Sequence, residues 1–387
     1  MKFRQTLLST AAVALVAIPQ GAFADVSAQD VWSDWKTYLQ GFGYTVEGSE
    51  ATSGDTLTVS DLKMAMEMPD DAGTMSIDMS DVTFTNSSNG SVDIKVPEAM
   101  PIAFKFTTEK GEAVEGVLEY ANTNLAINVS GDPKDMTYQT SAATLGMTVK
   151  SVMVEGTTIP INAINMMLGD VDSKMNMKLG NLRAVMQNFT AGSLAYNIDI
   201  PPIEGNTFKM TGGLKDLSFE GNGAYPMSDV NMQDMSAMLK AGFAFAGTFA
   251  HQGGNIDFNG VIDGDAVQAN STTQSSSLKM SMDAEQLHYA GAAKGLTSNM
   301  MGGNIPFPVE INADDSSFNF KMPLGKSEDA KDFEFGVLLG GFTTSDMIWS
   351  IFDPTGQLPR DPATLNIDLA GKAKLLIDLL TPAEAAR

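Results

Sequence analysis

Leu57-Thr58-Val59-Ser60-Asp61-Leu62-Lys63-Met64-Ala65-Met66-Glu67-Met68 puts an apolar side chain at every second position on both sides of one polar interruption, Ser60-Asp61. A period of two belongs to a pleated strand with one dry face, so this stretch reads as strand and not as helix. The segment that follows, Met75-Ser76-Ile77-Asp78-Met79-Ser80-Asp81-Val82-Thr83-Phe84, repeats the device. Two adjacent polar residues between apolar alternations send the second half of a strand to the opposite face unless a residue is bulged out, so a β-bulge is expected at each Ser-Asp. The turn-forming Pro69-Asp70-Asp71-Ala72-Gly73 lies between the segments, near the midpoint of Ser60 and Asp81. An antiparallel hairpin would therefore set the two irregularities opposite each other.

The same pattern returns at Leu214-Lys215-Asp216-Leu217-Ser218-Phe219 and less regularly over residues 227–232, a weak strand repeat too irregular for a propeller or solenoid. Further strand-like segments cover residues 91–96, 102–107, 113–120, 125–130, 147–154, 175–179, 193–200 and 208–210. After them come 244–250, 256–262, 266–271, 278–282, 309–311, 318–322 and 333–339. Many short strands separated by Gly, Asn, Asp and Pro predict antiparallel pairing, because parallel strands need long crossovers. The fold class expected is all-β with minor α, in long curved, mostly antiparallel sheets. Phe307 between Pro306 and Pro308 should sit at a sheet edge, where the missing N–H donors cost no ladder bond.

Helical period is confined to a few places. Ser27 is an N-cap with Asp30 three residues on, and Val31, Trp35 and Leu39 follow at helical spacing up to Gly41 and Gly43, which predicts an amphipathic cap over a sheet end. Residues 228–241 and 344–352 are predicted helices, and 160–168 is a weaker third. The helix near 228 divides the chain into an N-terminal helix with a β-rich half, residues 25–227, and a second, loosely similar β-rich half, residues 228–387.

The first 24 residues have the parts of a secretory signal: Lys2 and Arg4, a short apolar core over 7–18, and the small-x-small site Ala22-Phe23-Ala24. Export to the periplasm is the expectation, with no transmembrane segment after the leader, because later apolar runs are shorter and broken by Gly. The formal charge of −23 would repel a nucleic acid, and the absence of Cys removes thiolate chemistry and cross-links, leaving packed apolar area to hold the fold.

Catalytic patterns are weak. Ser60-Asp61-Leu62-Lys63 and Ser276-Ser277-Leu278-Lys279 match Ser-x-x-Lys but lie in strand patterns instead of at a helix start. His251 and His288 read as surface or strand-edge residues. Asp170-Val171-Asp172-Ser173 and Asp263-Gly264-Asp265 lack the remainder of a calcium loop and read as solvated turns. Methionine is abundant, with 26 residues, and Met64, Met66 and Met68, Met175 and Met177, and Met280 and Met282 stand two apart. Thioethers bind Cu(I), but these groups lack His or Cys, and packing on a strand's dry face is the stronger reading. Nothing calls for a cofactor or a metal.

Ser345-Asp346-Met347-Ile348-Trp349 followed by Phe352-Asp353-Pro354-Thr355-Gly356-Gln357-Leu358-Pro359-Arg360-Asp361-Pro362 resembles a signature of exported proteobacterial proteins assigned to domain of unknown function 2125. Gly54-Asp55-Thr56-Leu57-Thr58-Val59-Ser60-Asp61-Leu62 is similar to that family's N-terminal strand. The resemblance implies a periplasmic β-rich protein and no reaction. Arg360 reads as a structural latch to Asp353 or Asp361, with anion binding as the rival. The functional expectation is a non-enzymatic envelope scaffold or binding module, holding a lipid or other apolar ligand on a concave face with Met64, Met66, Met68 and Arg360 as candidate contacts. The alternatives are a carboxylate-based hydrolase and a structural partner of an outer-membrane assembly.

Overall fold

The computed structural model of the chain describes residues 25–67, 73–107, 111–203, 205–227, 235–303 and 305–377. The leader, Met68 and residues 69–72 of the first turn lie outside the described residues. Within them the chain is all-β with minor α: one 18-stranded antiparallel sheet and three helices.

The opening stretch forms β2 (Thr56–Glu67), antiparallel to β3 (Gly73–Asn86), with Leu57 opposite Phe84, Ser60 opposite Asp81 and Met64 opposite Ile77. The two irregularities do face each other, but the bulge needs correction. Register between β2 and β3 is unbroken, and the extra residue shows only against β1 (Tyr44–Ser53), where pairing slips between Glu47 and Ser49. The cause is Asp61, at φ 51°. This left-handed conformation is one that Asp tolerates better than most L-residues, and it returns Leu62 and Met64 to the face of Leu57 and Val59. All four are buried.

The device recurs along the chain. Asp170 on β10 (Ala163–Leu179) and Asp216 on β12 (Asn206–Pro226) have φ 53° and 48°. They keep Leu168 with Val171, and Leu214 with Leu217, on one face. Residues that read as turns therefore sit inside strands, and the expected short strands are corrected to long ones. β10 has 17 residues, β11 (Leu182–Ile203) 22, β12 21 and β13 (Ala244–Ile262) 19. The helix expected over 160–168 is also corrected. From Ala163 this segment pairs with β11, and from Asn165 also with β8 (Asp135–Val154), and its exposed Met166 and Met167 offer no apolar helix face to bury.

The rest of the sheet follows chain order. β4 (Val92–Lys95) and β5 (Ala99–Thr107) pair with different ends of β3, and β6 (Ala113–Thr123) and β7 (Ala126–Asp132) link them to β8, which also carries β9 (Thr157–Ile159). Beyond β13 come β14 (Asp265–Met282), β15 (Gln286–Gly302), β16 (Ile305–Pro323), β17 (Lys331–Thr344) and β18 (Ala363–Ala373), each hydrogen-bonded to the next. Phe307 and Pro308 fall in the register irregularity between the Met300–Val309 and Gly302–Ile305 pairs, before β17 joins at Ile311, so prolines occupy an edge as expected. The helix expected over 228–241 is described as α2 (Met235–Lys240), residues 228–234 being outside the described residues, and the helix over 344–352 as α3 (Asp346–Phe352). β12 and β13, on either side of residue 228, pair along most of their length.

α1 (Ala28–Gly41) starts as read. Asp30 N–H donates to Ser27 Oγ at 3.2 Å, and Ser27 N–H donates back to the Asp30 carboxylate at 3.0 Å. The helix is a filling more than a cap. Val31 and Trp32 are fully buried in one apolar cluster with Phe84, Val59, Val92, Val129, Met136 and Met177, which come from β2, β3, β4, β7, β8 and β10. These strands therefore curl round it. Burying Trp32 and Phe84 contributes about 1.5–3 kcal/mol each, and the indole N–H donates to Glu50 at 2.7 Å on β1.

Candidate functional site: an apolar sheet face and its closed end

Residues opposite one another in a ladder share a face. One such row starts at Leu57 and Phe84 and passes through Ile94, Ile127, Thr140, Ser173 and Phe189. It continues through Phe219, Phe249, Leu278, Gly291, Phe318 and Val337 to Ile367 on β18. A second row runs Met280, Tyr289, Phe320, Phe335, Leu369. On the opposite face the intervening row reads Asn188, Glu220, Thr248, Lys279, Ala290, Asn319, Gly336, Asp368. Along these rows one side of the sheet is apolar from β2 to β18 except at Thr140 and Ser173, and the other is mainly polar from β11 to β18. At ~4.8 Å per strand the apolar side from β10 to β18 is about 40 Å across.

Glycines smooth this face. A side chain at Gly221 or Gly247 would collide with the Phe219 ring, which lies over both. The aromatic ring shields backbone that glycine leaves bare, as edge-glycine rescue does elsewhere.

Where α1 covers the face the side chains are dry. Beside the helix a cavity of about 500 Å³ remains, lined among others by Trp35, Leu62, Met64, Met79, Ile127 and Met175, within the size range of small-molecule sites. Its polar end is a closed pair: Arg183 on β11 donates to both oxygens of Asp34 on α1, at 2.7 and 3.2 Å. Arg183 also contacts Met177 Sδ at 2.7 Å and lies 4.7 Å from the Tyr38 ring centre. Burial raises the Asp34 carboxyl above its ordinary range, against the opposing pull of Arg183. Burial likewise raises the Tyr38 and Tyr138 hydroxyls, and the neighbouring Asp34 charge adds to both shifts. Among the described lining residues Asp34 is the one carboxylate, so the cavity presents no free charge.

Away from α1 the same face is half wet. Tyr289, Phe318, Phe335, Leu365, Ile367 and Leu369 are all exposed, Leu369 by 56 %.

Of the residues the sequence singled out, Met64 lines the cavity, Met66 is half-buried further along the same strand, and Met68 lies outside the described residues. Arg360 is elsewhere: it lies 3.8 Å from Asp353 and 5.3 Å from the Trp349 ring centre, and does not line the cavity. Asp353 in turn accepts from the Leu358 and Gln357 N–H groups at 2.7 and 2.9 Å, which lower its pKa. Both histidines are on interior strands, and the burial of His251 corrects the surface or strand-edge reading there, whereas His288 is only half-buried. His251 is buried on β13, and His288 on β15 is 2.8 Å from Asn319 Oδ1. Asp170 and Asp172 lie within β10 and so form no turn, whereas Asp263 and Gly264 do form one between β13 and β14. Sequence reading missed Arg183 and Asp34, which stand 149 residues apart. The available signal was Arg183 at the apolar parity of its strand, two before Val185.

No protein-family model, no curated protein and no solved structure matches this chain.

Proposed function

We propose that the exported chain is a non-enzymatic envelope protein that holds a lipid or another neutral apolar ligand along the apolar sheet face, with the cavity beside α1 as its closed end. The observation that carries the reading is the cross-strand row from Phe84 to Ile367, apolar on either side of Thr140 and Ser173, buried at one end and solvent-facing at the other. A soluble domain ordinarily covers such a face, and a large apolar patch left open marks a binding surface. The Arg183–Asp34 pair satisfies itself, so the cavity favours an uncharged chain over a charged headgroup, which would remain in water. Export to the periplasm rests on the leader and on the family resemblance.

Native mass spectrometry of the protein purified from the periplasm, followed by solvent extraction, tests this. Acyl species should accompany the wild type, and Phe318→Asp with Phe335→Asp should lower their occupancy. Ligand-free protein that also fails to take up a fluorescent fatty acid would overturn the proposal.

A further inference from the structure

A sheet that does not close has two edges, and this one manages them differently. At β1 the pairing slips at Glu47/Ser49, and Glu47 and Glu50 put acidic charge on the strand, with Glu50 also tied to Trp32 and Lys36. Slipped register and charge are what natural edges use to repel another strand. β18 is protected less: its register slips only beyond Leu365, and its charges, Asp368 and Lys372, are of opposite sign. From Leu365 to Ala373 its register with β17 is unbroken, no proline interrupts it, and among the described residues β17 is the one strand that forms a residue-by-residue ladder with it. Leu365, Ile367 and Leu369 project from it on the apolar face and are exposed.

We infer that β18 docks against β18 of a second copy of this chain, as an antiparallel pair centred on Ala370. A two-fold axis perpendicular to the sheet is the operation that joins β18 to its own copy while keeping both apolar faces on the same side. Such a contact is isologous and closes at two subunits. Centring on Ala370 sets Asp368 of each copy opposite Lys372 of the other, twice by symmetry, with Lys374 one diagonal step away. Lys372 is free to bridge: it holds Asp332 of its own chain at 2.6 Å while its side chain remains 66 % exposed. Centring on Asp368 would instead place two carboxylates face to face, which disfavours that register. Although the chain carries a net charge of −23, this edge offers a like copy charges of both signs. The dimer would join the two apolar faces into one of twice the width, but the pairing does not depend on any ligand.

The test is sedimentation velocity on the exported chain from about 1 to about 100 µM, in ~0.15 M salt so that long-range repulsion is screened. A concentration-dependent dimer is expected. Asp368→Lys and Lys372→Asp should each weaken it on the order of tenfold, since each replaces two attractive cross-strand contacts by two repulsive ones. The double exchange should restore association to within about threefold of wild type. Circular dichroism should show all three variants folded, because β18 is an outer strand with most of its surface in solvent. Backbone amides of residues 366–373 should exchange more slowly at high concentration. A monomer throughout the range, a dimer indifferent to both charge reversals, or unchanged exchange in β18 would each overturn the inference.

Discussion

Phe84 and Phe318 lie in the same cross-strand row of one sheet, on the same face, yet Phe84 is fully buried and Phe318 is 39 % exposed. The difference is α1. Around Phe84 the sheet curls over the helix, and Trp32 and Trp35 close on the ring at 5.7 and 5.3 Å. Around Phe318 the neighbours on the face are Tyr289, 5.2 Å away, and other half-exposed apolar side chains. Alternation therefore decides which side of a strand avoids water, while a separate element decides whether it succeeds. The covered region is a hydrophobic core in the ordinary sense, and the uncovered one is a surface with the composition of a core.

The comparison can be broken most directly by truncating both rings. Phe84→Ala should cost about 3–5 kcal/mol, because it leaves a cavity in a packed region. Phe318→Ala should cost less than about 1 kcal/mol, because its ring is already partly in water. Urea unfolding measures both, and equal losses would erase the distinction drawn between the regions.

A second experiment sharpens what lies at the boundary between them. Arg183→Met should destabilise by about 3–5 kcal/mol, since it strands the Asp34 carboxylate in a buried site, whereas Arg183→Met with Asp34→Leu should recover most of that loss. If the double variant is as unstable as the single, the pair contributes more than mutual neutralisation.

The smallest effect is in the pH dependence. Tyr138 on β8 has a hydroxyl whose pKa is raised, chiefly by burial. The unfolded chain gives up that proton near pH ~10 while the folded chain keeps it, so stability should fall as pH rises above about 10. Tyr138→Phe should flatten this slope. Hydrogen exchange at alkaline pH should show protection lost first in β8 and α1, and equal loss in β16 would mean that the two regions respond as one.

Much of the fold was legible. Leu57 to Met66, Met75 to Phe84 and Leu214 to Phe219 show the period and the interruption, and the dry face they define is the one observed. Strand length was not legible. Asp170, Asp216 and Gly253 have positive φ, a conformation typical of turns, and local chemistry cannot tell a turn from a rotation in mid-strand. The ladders on either side settle that difference. Of the site, Met64 was recoverable because packing parity is local. Arg183 was not, because its partner is brought up by the curl of the sheet, whereas the latch reading of Arg360 was legible because Asp353 stands seven residues away in the same proline-bounded loop, and the two lie 3.8 Å apart.

The sequence by itself determined that this is an antiparallel β protein with one oily and one wet side, because side-chain direction along a strand is fixed every two residues. Only the tertiary structure decided that the strands are long, that α1 lies inside the curl, and that the oily side runs uncovered to β18. Those outcomes depend on which strands meet across hundreds of residues, and pairing at that distance follows from the whole sheet's register.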